Sequence, residues 1–159
     1  MKVCVIPARG GSKRIPRKNI RSFCGKPMIA WSIGVALQSA CFDRVIVSTD
    51  DEEIAAVSRQ WGAETPFLRP AELSDDHTGT IPVVAHTIDW LRQAGQAPAQ
   101  VCCIYATAPF LQADDLRRGL EIVNAFDVAF FDKHLKGAGE AMEALRKEAA
   151  PKEVLFQDL

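Results

Sequence analysis

Apolar positions along this chain switch between two periods. Lys2–Ile6, Val45–Ser48 and Gln100–Tyr105 contain short, nearly continuous apolar runs bounded by polar or turn residues, the pattern of strands covered on both faces. Between them the spacing is helical. Met28, Trp31, Ile33, Val35, Ala36 and Leu37 predict a helix to about Ala40, with Pro27 in its first turn. Ile54, Ala55, Val57 and Trp61 predict a second, opened by Asp50 as N-cap with Glu53 three residues on and closed by Gly62. Val84, Ile88 and Leu91 form one stripe of a third helix, from about Thr80 to Ala94. Leu116, Leu120 and Val123 mark a fourth, begun by Asp114-Asp115, whose acids suit a helix N-terminus.

The remaining segments are less regular. Glu64–Leu68 is a short extended piece leading into a polar loop, Arg69–Gly79. Val128–Phe131 predicts a fourth strand, and Ala138, Met142, Leu145 and Ala149 predict a surface helix over 136–150. Strands alternating with helices of this length call for βαβ crossovers, hence a parallel sheet in an α/β sandwich. The expected division is a main domain over residues 1–131 and an atypical helical tail over 132–159.

With 159 residues, 48% hydrophobic and 25% charged, the chain has enough material for one domain with a buried core. No apolar run approaches the length of a membrane span or a signal peptide. Five cysteines, Cys4, Cys24, Cys41, Cys102 and Cys103, show neither CxxC nor zinc spacing. They read as buried thiols of a cytoplasmic protein.

Charge is the feature that changes the picture. The net charge is only −1, yet eight of the nineteen Lys and Arg residues fall within the first 26 positions, and the first acid is Asp43. They surround Arg9-Gly10-Gly11-Ser12-Lys13-Arg14-Ile15-Pro16-Arg17-Lys18-Asn19, directly after the first strand. A glycine pair lets backbone N–H groups crowd an anion, and nearby cations neutralise it. A nucleoside triphosphate fits such a confined cluster. A nucleic-acid contact is the weaker alternative, because binders of that kind spread basic residues over a face. The loop is neither a Walker A sequence nor a GxGxxG fingerprint, so ATPase and dinucleotide readings lose their main support.

Ligands of open parallel sheets bind beyond the carboxyl ends of the strands. This loop, Thr49-Asp50-Asp51, Tyr105–Pro109 and Arg69–Thr80 all fall there, which argues for one site. Asp50 is expected to be a helix cap in preference to a metal ligand. His77 either contacts ligand or stays solvated, His86 is expected at the surface, and Trp31, Trp61 and Trp90 are expected in core or interface packing.

Pro7–Asn19 resembles the signature loop of the cytidylyltransferases that activate nonulosonic acids, the CMP-sialic acid synthetase family. Phe42–Asp50, Leu68–Leu73 and Tyr105–Phe110 agree with it. Asp76-His77-Thr78-Gly79-Thr80 and Ile104–Pro109 are most similar to the pseudaminic acid branch; sialic acid members show Gln-Pro-Thr-Ser-Pro where this chain has Tyr105–Pro109. The resemblance implies a three-layer α/β/α sandwich with a mainly parallel sheet, a Rossmann-like nucleotidyltransferase fold incomplete at its C-terminus. It implies transfer of CMP from CTP to the anomeric hydroxyl of a sugar acid, with Mg²⁺ as cofactor, CTP and a nonulosonic acid as partners, and a possible homodimer. Neither nucleic acid nor membrane is an expected partner.

By the same resemblance, Arg9 and Lys18 hold the triphosphate and stabilise developing charge. Ala8, Gly10, Gly11 and Ser12 cradle phosphates through backbone N–H groups, with Lys13 and Asn19 as secondary contacts. Arg69, Thr80, Ala106 and Thr107 enclose cytosine and ribose. The likeness covers residue 1 to about Phe130. The family's later Asp-x-Asp pair, sugar pocket and dimerisation arm have no counterpart after Phe131, so the metal ligands are unassigned. A sialic or legionaminic acid enzyme, and a shortened CTP-binding protein without turnover, are the alternative expectations.

Overall fold

The computed structural model describes residues 1–135, with side chains as far as Asn124. The helix expected over 136–150 lies outside the described residues. Contacts divide the chain into two units, Met1–Asp114 and Asp115–Leu159.

The first unit is built on a parallel sheet of β1 (Lys2–Pro7), β4 (Arg44–Ser48) and β5 (Gln100–Cys103), in the order β4-β1-β5. β2 (Ser22–Phe23) and β3 (Lys26–Pro27) form a small antiparallel hairpin. Its two turn residues, Cys24 and Gly25, have φ of 48° and 86°, the left-handed pair that a tight hairpin turn demands. The sequence reading had no such hairpin. Outside β4, single parallel bridges at Ile46–Glu64 and Thr49–Leu68 let the extended piece run as a minimal outer strand.

Three α-helices, α1 (Met28–Ser39), α2 (Glu52–Gln60) and α3 (Thr80–Gln93), and a single 3-10 turn at Ala71–Leu73 accompany this sheet. The crossover from β1 through α1 to β4 runs one way along the sheet, and the return through α3 to β5 runs the other. Right-handed crossovers then put the helices on opposite faces. Packing agrees. Val3, Val5 and Ile46 share one face and are covered by Leu91, Val84 and Trp90 of α3. α1 packs on β1, β4 and α2, and its Ile29, Ile33 and Ala36 are buried. The expected α/β sandwich with a parallel sheet is what forms.

Several expectations change at the level of residues. The buried face of α3 is Val83, Thr87 and Leu91, turned from the predicted stripe. Thr87 enters the core because its hydroxyl donates to the Val83 carbonyl (3.2 Å), so no polar atom is left unpaired. Ser39 and Ser58 do the same to Ala36 and Ile54. Asp51, not Asp50, caps α2, its carboxylate accepting from the Ile54 N–H at 3.0 Å. Cys4 is buried, but Cys102 is half-buried and Cys103 exposed, because β5 is an outer strand. All five cysteines are free thiols, and burial pushes that of Cys4 far upward. Trp61 stands 40% exposed at the end of α2. His86 is half-buried against Phe67, edge to face at 4.8 Å, not a surface residue.

The last described helix, α4 (Ala113–Leu135), begins where Asp114-Asp115 predicted and continues through Val128–Phe131. That segment is helix, not the fourth strand expected. Its β-branched and aromatic residues suit either state, and short apolar runs do not separate the two by periodicity.

Candidate functional site

Between β1 and β5 the chain direction across the sheet reverses, and the strand ends part there to leave a crevice. The loop after β1 enters it on a frame of backbone bonds. The Ala8 N–H donates to the Ser48 carbonyl (2.9 Å), the Ser12 N–H to Gly10 (2.9 Å), and Ile29 to Asn19 (2.8 Å). Asn19 is buried, and its Nδ2 donates to the Arg9 carbonyl at 3.0 Å. It positions the loop from within. Arg17 adopts φ of 55° and pairs with Asp51 and Glu53, clamping the loop to the start of α2.

The crevice holds a cavity of about 180 Å³, against the roughly 10–15 Å³ that one water requires. That is room for more than a single water. Arg9, Ser12, Lys18 and Asn19 line it from the first loop, Arg69, Leu73, Asp75, Thr78, Gly79 and Thr80 from the polar segment, and Tyr105, Ala106 and Thr107 from the end of β5. Eight residues expected at the site, Arg9, Ser12, Lys18, Asn19, Arg69, Thr80, Ala106 and Thr107, therefore converge on one cavity.

Lys13 does not reach it. It borders an adjoining basic hollow with Arg9, Ser12, Arg14, Ile15, Lys18 and Asp76. Ala8, Gly10 and Gly11 line neither. The backbone cradle expected from Ala8–Ser12 is narrower than the sequence implied. The Ala8 and Ser12 amides have carbonyl acceptors, and the Gly10 N–H donates to Asp50 Oδ1 at 2.9 Å. The amides of Arg9 and Gly11 have no acceptor among the described residues.

Electrostatics divide the cavity. On one side stands Arg69, its side chain only 3% exposed. Its Nη2 lies 3.5 Å from Asp50 Oδ1 and its Nε donates to Ser74 Oγ at 3.2 Å. Burial pulls this guanidinium below its ordinary pKa, with Asp50 opposing. On the other side Arg9 Nη2 meets Asp76 at 2.8 Å, and Lys13 pairs with the same carboxylate. Hydrogen bonding to Lys13 holds the Asp76 carboxyl below its usual range, with Arg9 adding to the effect. Asp75 is lowered too, through bonds from the Thr78 hydroxyl and the Thr78 and His77 amides. The His77 side chain does not line the cavity.

The far wall is fixed by Ser32, a buried residue of α1. Its hydroxyl donates to the Tyr105 carbonyl (2.8 Å) and accepts from the Ala108 N–H (3.4 Å). The sequence reading missed Ser32, Asp50 as an anchor, and Asp76. For Ser32 a signal existed: a polar residue inside an apolar helical face needs a partner.

The described residues do not supply a Mg²⁺ site. Asp50, Asp75 and Asp76 are each tied to a cation, a hydroxyl or an amide. No group of three or more His, Cys, Asp or Glu among the described residues is placed to hold a metal. No helix there is long and apolar enough to cross a membrane.

Comparison with known proteins gives this cavity its context. The chain is 52% identical over 119 residues to a pseudaminic acid cytidylyltransferase of Campylobacter jejuni, covering 75% of this chain and 51% of the relative. It is 41% identical over 120 residues to a CMP-N,N'-diacetyllegionaminic acid synthase of Legionella pneumophila, covering 76% and 52%. The chain thus spans about half the length of these curated relatives. Among solved structures it resembles CMP:2-keto-3-deoxy-manno-octonic acid synthetase complexed with CTP, with a TM-score of 0.60 and 25% identity over 76% of this chain and 46% of that one. The family profile described as Cytidylyltransferase matches residues 3–155, past the point where the sequence resemblance faded. Fold, basic loop and profile agree, and the chain belongs to the cytidylyltransferase family.

Proposed function

We propose that this chain carries the CTP-binding half of an enzyme that transfers CMP from CTP to the anomeric hydroxyl of a nonulosonic acid, pseudaminic acid by preference. The observation that carries the reading is the cavity itself. Cations of the first loop, Arg9 and Lys18, line the same cavity as two small residues from the end of β5, Ala106 and Thr107. The 52% identity to a pseudaminic acid cytidylyltransferase supports the choice of sugar. The legionaminic acid synthase, at 41%, supports the same chemistry with a related acid.

In that reaction the anomeric oxygen attacks the α-phosphorus of CTP. A new P–O bond forms as the bond to the bridging oxygen breaks, the hydroxyl proton leaves, and pyrophosphate departs. Catalysis of phosphoryl transfer is chiefly positioning and charge stabilisation. Arg9 and Lys18 would take the charge growing on the phosphate oxygens. Ser12 and the open amide of Arg9 would complete the phosphate contacts, with Lys13 at the outer end. Ala8 and Gly10 would hold the loop in place instead of touching the ligand, while Asn19 would brace the Arg9 carbonyl and also meet the ligand from the cavity lining. Arg69, Thr80, Ala106 and Thr107 would enclose the nucleoside. Mg²⁺, the sugar-acid pocket and any homodimer contact call for groups beyond those described here.

The test is thermal. CTP raises the midpoint of this chain, ATP does so far less, and Arg9→Ala abolishes the shift. Equal stabilisation by CTP and ATP would remove cytidine from the reading. Pyrophosphate release assayed with pseudaminic and legionaminic acids then separates the two sugars, and CTP binding without release would leave a binding protein.

A further inference from the structure

We propose that Asp76 is an internal counter-ion of the phosphate site, a carboxylate latch that closes the basic loop until an anion displaces it. The proposal rests on the phosphate reading of Arg9 and asks what occupies that cation before ligand arrives.

One carboxylate bridges two cations: Asp76 Oδ1 stands 2.8 Å from Arg9 Nη2, and Oδ2 pairs with Lys13. Two oxygens spread over two cations is how a phosphate would sit there. Arg9 also donates from Nη1 to the Asp75 carbonyl, so its guanidinium is held by this segment at both ends. Arg9, Ser12 and Lys18 border both the cavity and the basic hollow beside it, and Asp76 borders only the hollow. Anion and carboxylate therefore compete for the same side chain.

The attachment is weak enough to yield. The Lys13 side chain is 81% exposed and that of Asp76 31%, so their pairing is screened by solvent. A polyphosphate carries more charge to the same cations than one carboxylate does. Release would also be felt at the nucleoside. The segment is short, and Thr78, Gly79 and Thr80, two to four residues past Asp76, line the cavity. An internal Asx turn, Asp75 Oδ1 accepting from the amides of His77 (3.0 Å) and Thr78 (2.6 Å), lets the segment move as a unit.

Calorimetric titration of the full chain with inorganic pyrophosphate tests the latch. Asp76→Asn should bind pyrophosphate about five- to tenfold more tightly than wild type. Glu72→Gln, which removes an equal charge from the same loop without an ion pair to Arg9 or Lys13, should stay within about twofold. In wild type, amide hydrogen exchange across residues 74–79 should quicken when pyrophosphate saturates. Unchanged or weaker affinity of Asp76→Asn, an equal gain in Glu72→Gln, or slowed exchange across 74–79 overturns the latch while the phosphate reading stands. If neither wild type nor Asp76→Asn binds pyrophosphate, the latch and the phosphate role of Arg9 both fall. Pyrophosphate carries no base, so the CTP-against-ATP comparison judges the nucleotide separately.

Discussion

Gly10 and Asp51 approach so closely that a Cβ on the glycine would stand 2.7 Å from Asp51 Oδ2 and 2.9 Å from its Cβ. The glycine is there because the start of α2 lies against the loop. Its φ is not in the left-handed range. Gly10→Ala should therefore push the loop off α2, at a cost of about 1–3 kcal/mol typical of overpacking. Gly11 has nothing within 4 Å of its would-be Cβ, so Gly11→Ala should stay within about 0.5 kcal/mol, as surface changes do. Urea unfolding of the two variants, side by side, checks the contrast.

Ser32 couples the interior of α1 to the far wall of the cavity. Ser32→Ala leaves the Tyr105 carbonyl and the Ala108 N–H without their partner. Losing a partner of a buried polar group costs about 1–3 kcal/mol. The effect on ligands should be one-sided. CTP affinity falls because the wall formed by Ala106 and Thr107 loosens, while pyrophosphate affinity holds. Equal losses for both would show that Ser32 supports the whole site and not one wall.

How much of this was legible in the sequence depends on which force places each residue. The parallel strands and the α-helices of the first unit follow from apolar periodicity, though not the β2–β3 hairpin, and most of the cavity lining follows from the loops at the carboxyl end of the sheet. What escaped was side-chain pairing across long sequence separations. The local signal, Glu53 three residues after Asp50, points to Asp50, yet Asp51 is the cap of α2. The choice is made by Gly10 and Arg69, which draw Asp50 away. Thr87 hides from a hydrophobic stripe because its hydroxyl is satisfied by its own helix. The strand expected at Val128–Phe131 failed for a different reason: apolar, β-branched and aromatic residues in a short run suit strand and helix alike.

Arg69 and Asp50 form an unequal pair, the cation almost fully buried and the acid 26% exposed. Removing the acid strands a buried charge, whereas removing the cation leaves a carboxylate that water can reach. Asp50→Ala should thus be the more damaging change, by about 1–3 kcal/mol. Arg69→Met, which keeps volume in the buried position, should be milder in stability but should weaken CTP. Chemical unfolding of both single variants and the double variant separates the pair from the rest. If Asp50→Ala costs no more with Arg69 present than in the Arg69→Met background, the pair contributes nothing.

Acid should erode the clamp between the first loop and α2 by way of Asp51. Hydrogen bonding from Arg17 holds the Asp51 carboxyl below its ordinary value of 3.8, with the Ile54 amide helping and desolvation opposing. The folded state therefore keeps this carboxylate ionised at a pH where the unfolded chain has begun to take up protons. Its stabilisation is complete above the ordinary carboxylate value and is lost as pH falls through the lowered one. Asp51→Asn keeps an oxygen for the cap, since Asn is as good an N-cap as Asp, and removes the negative charge and one of the two acceptor oxygens that face Arg17. The variant should be less stable than wild type by about 0.5–1 kcal/mol near neutral pH, as for a partly exposed pair. That gap should close as pH falls below the carboxylate range, because protonation makes the wild-type side chain neutral as well. Urea unfolding at several pH values between neutrality and pH 3 measures the gap. A gap that stays constant would place the cost in packing of the Asn, not in the Arg17 pairing.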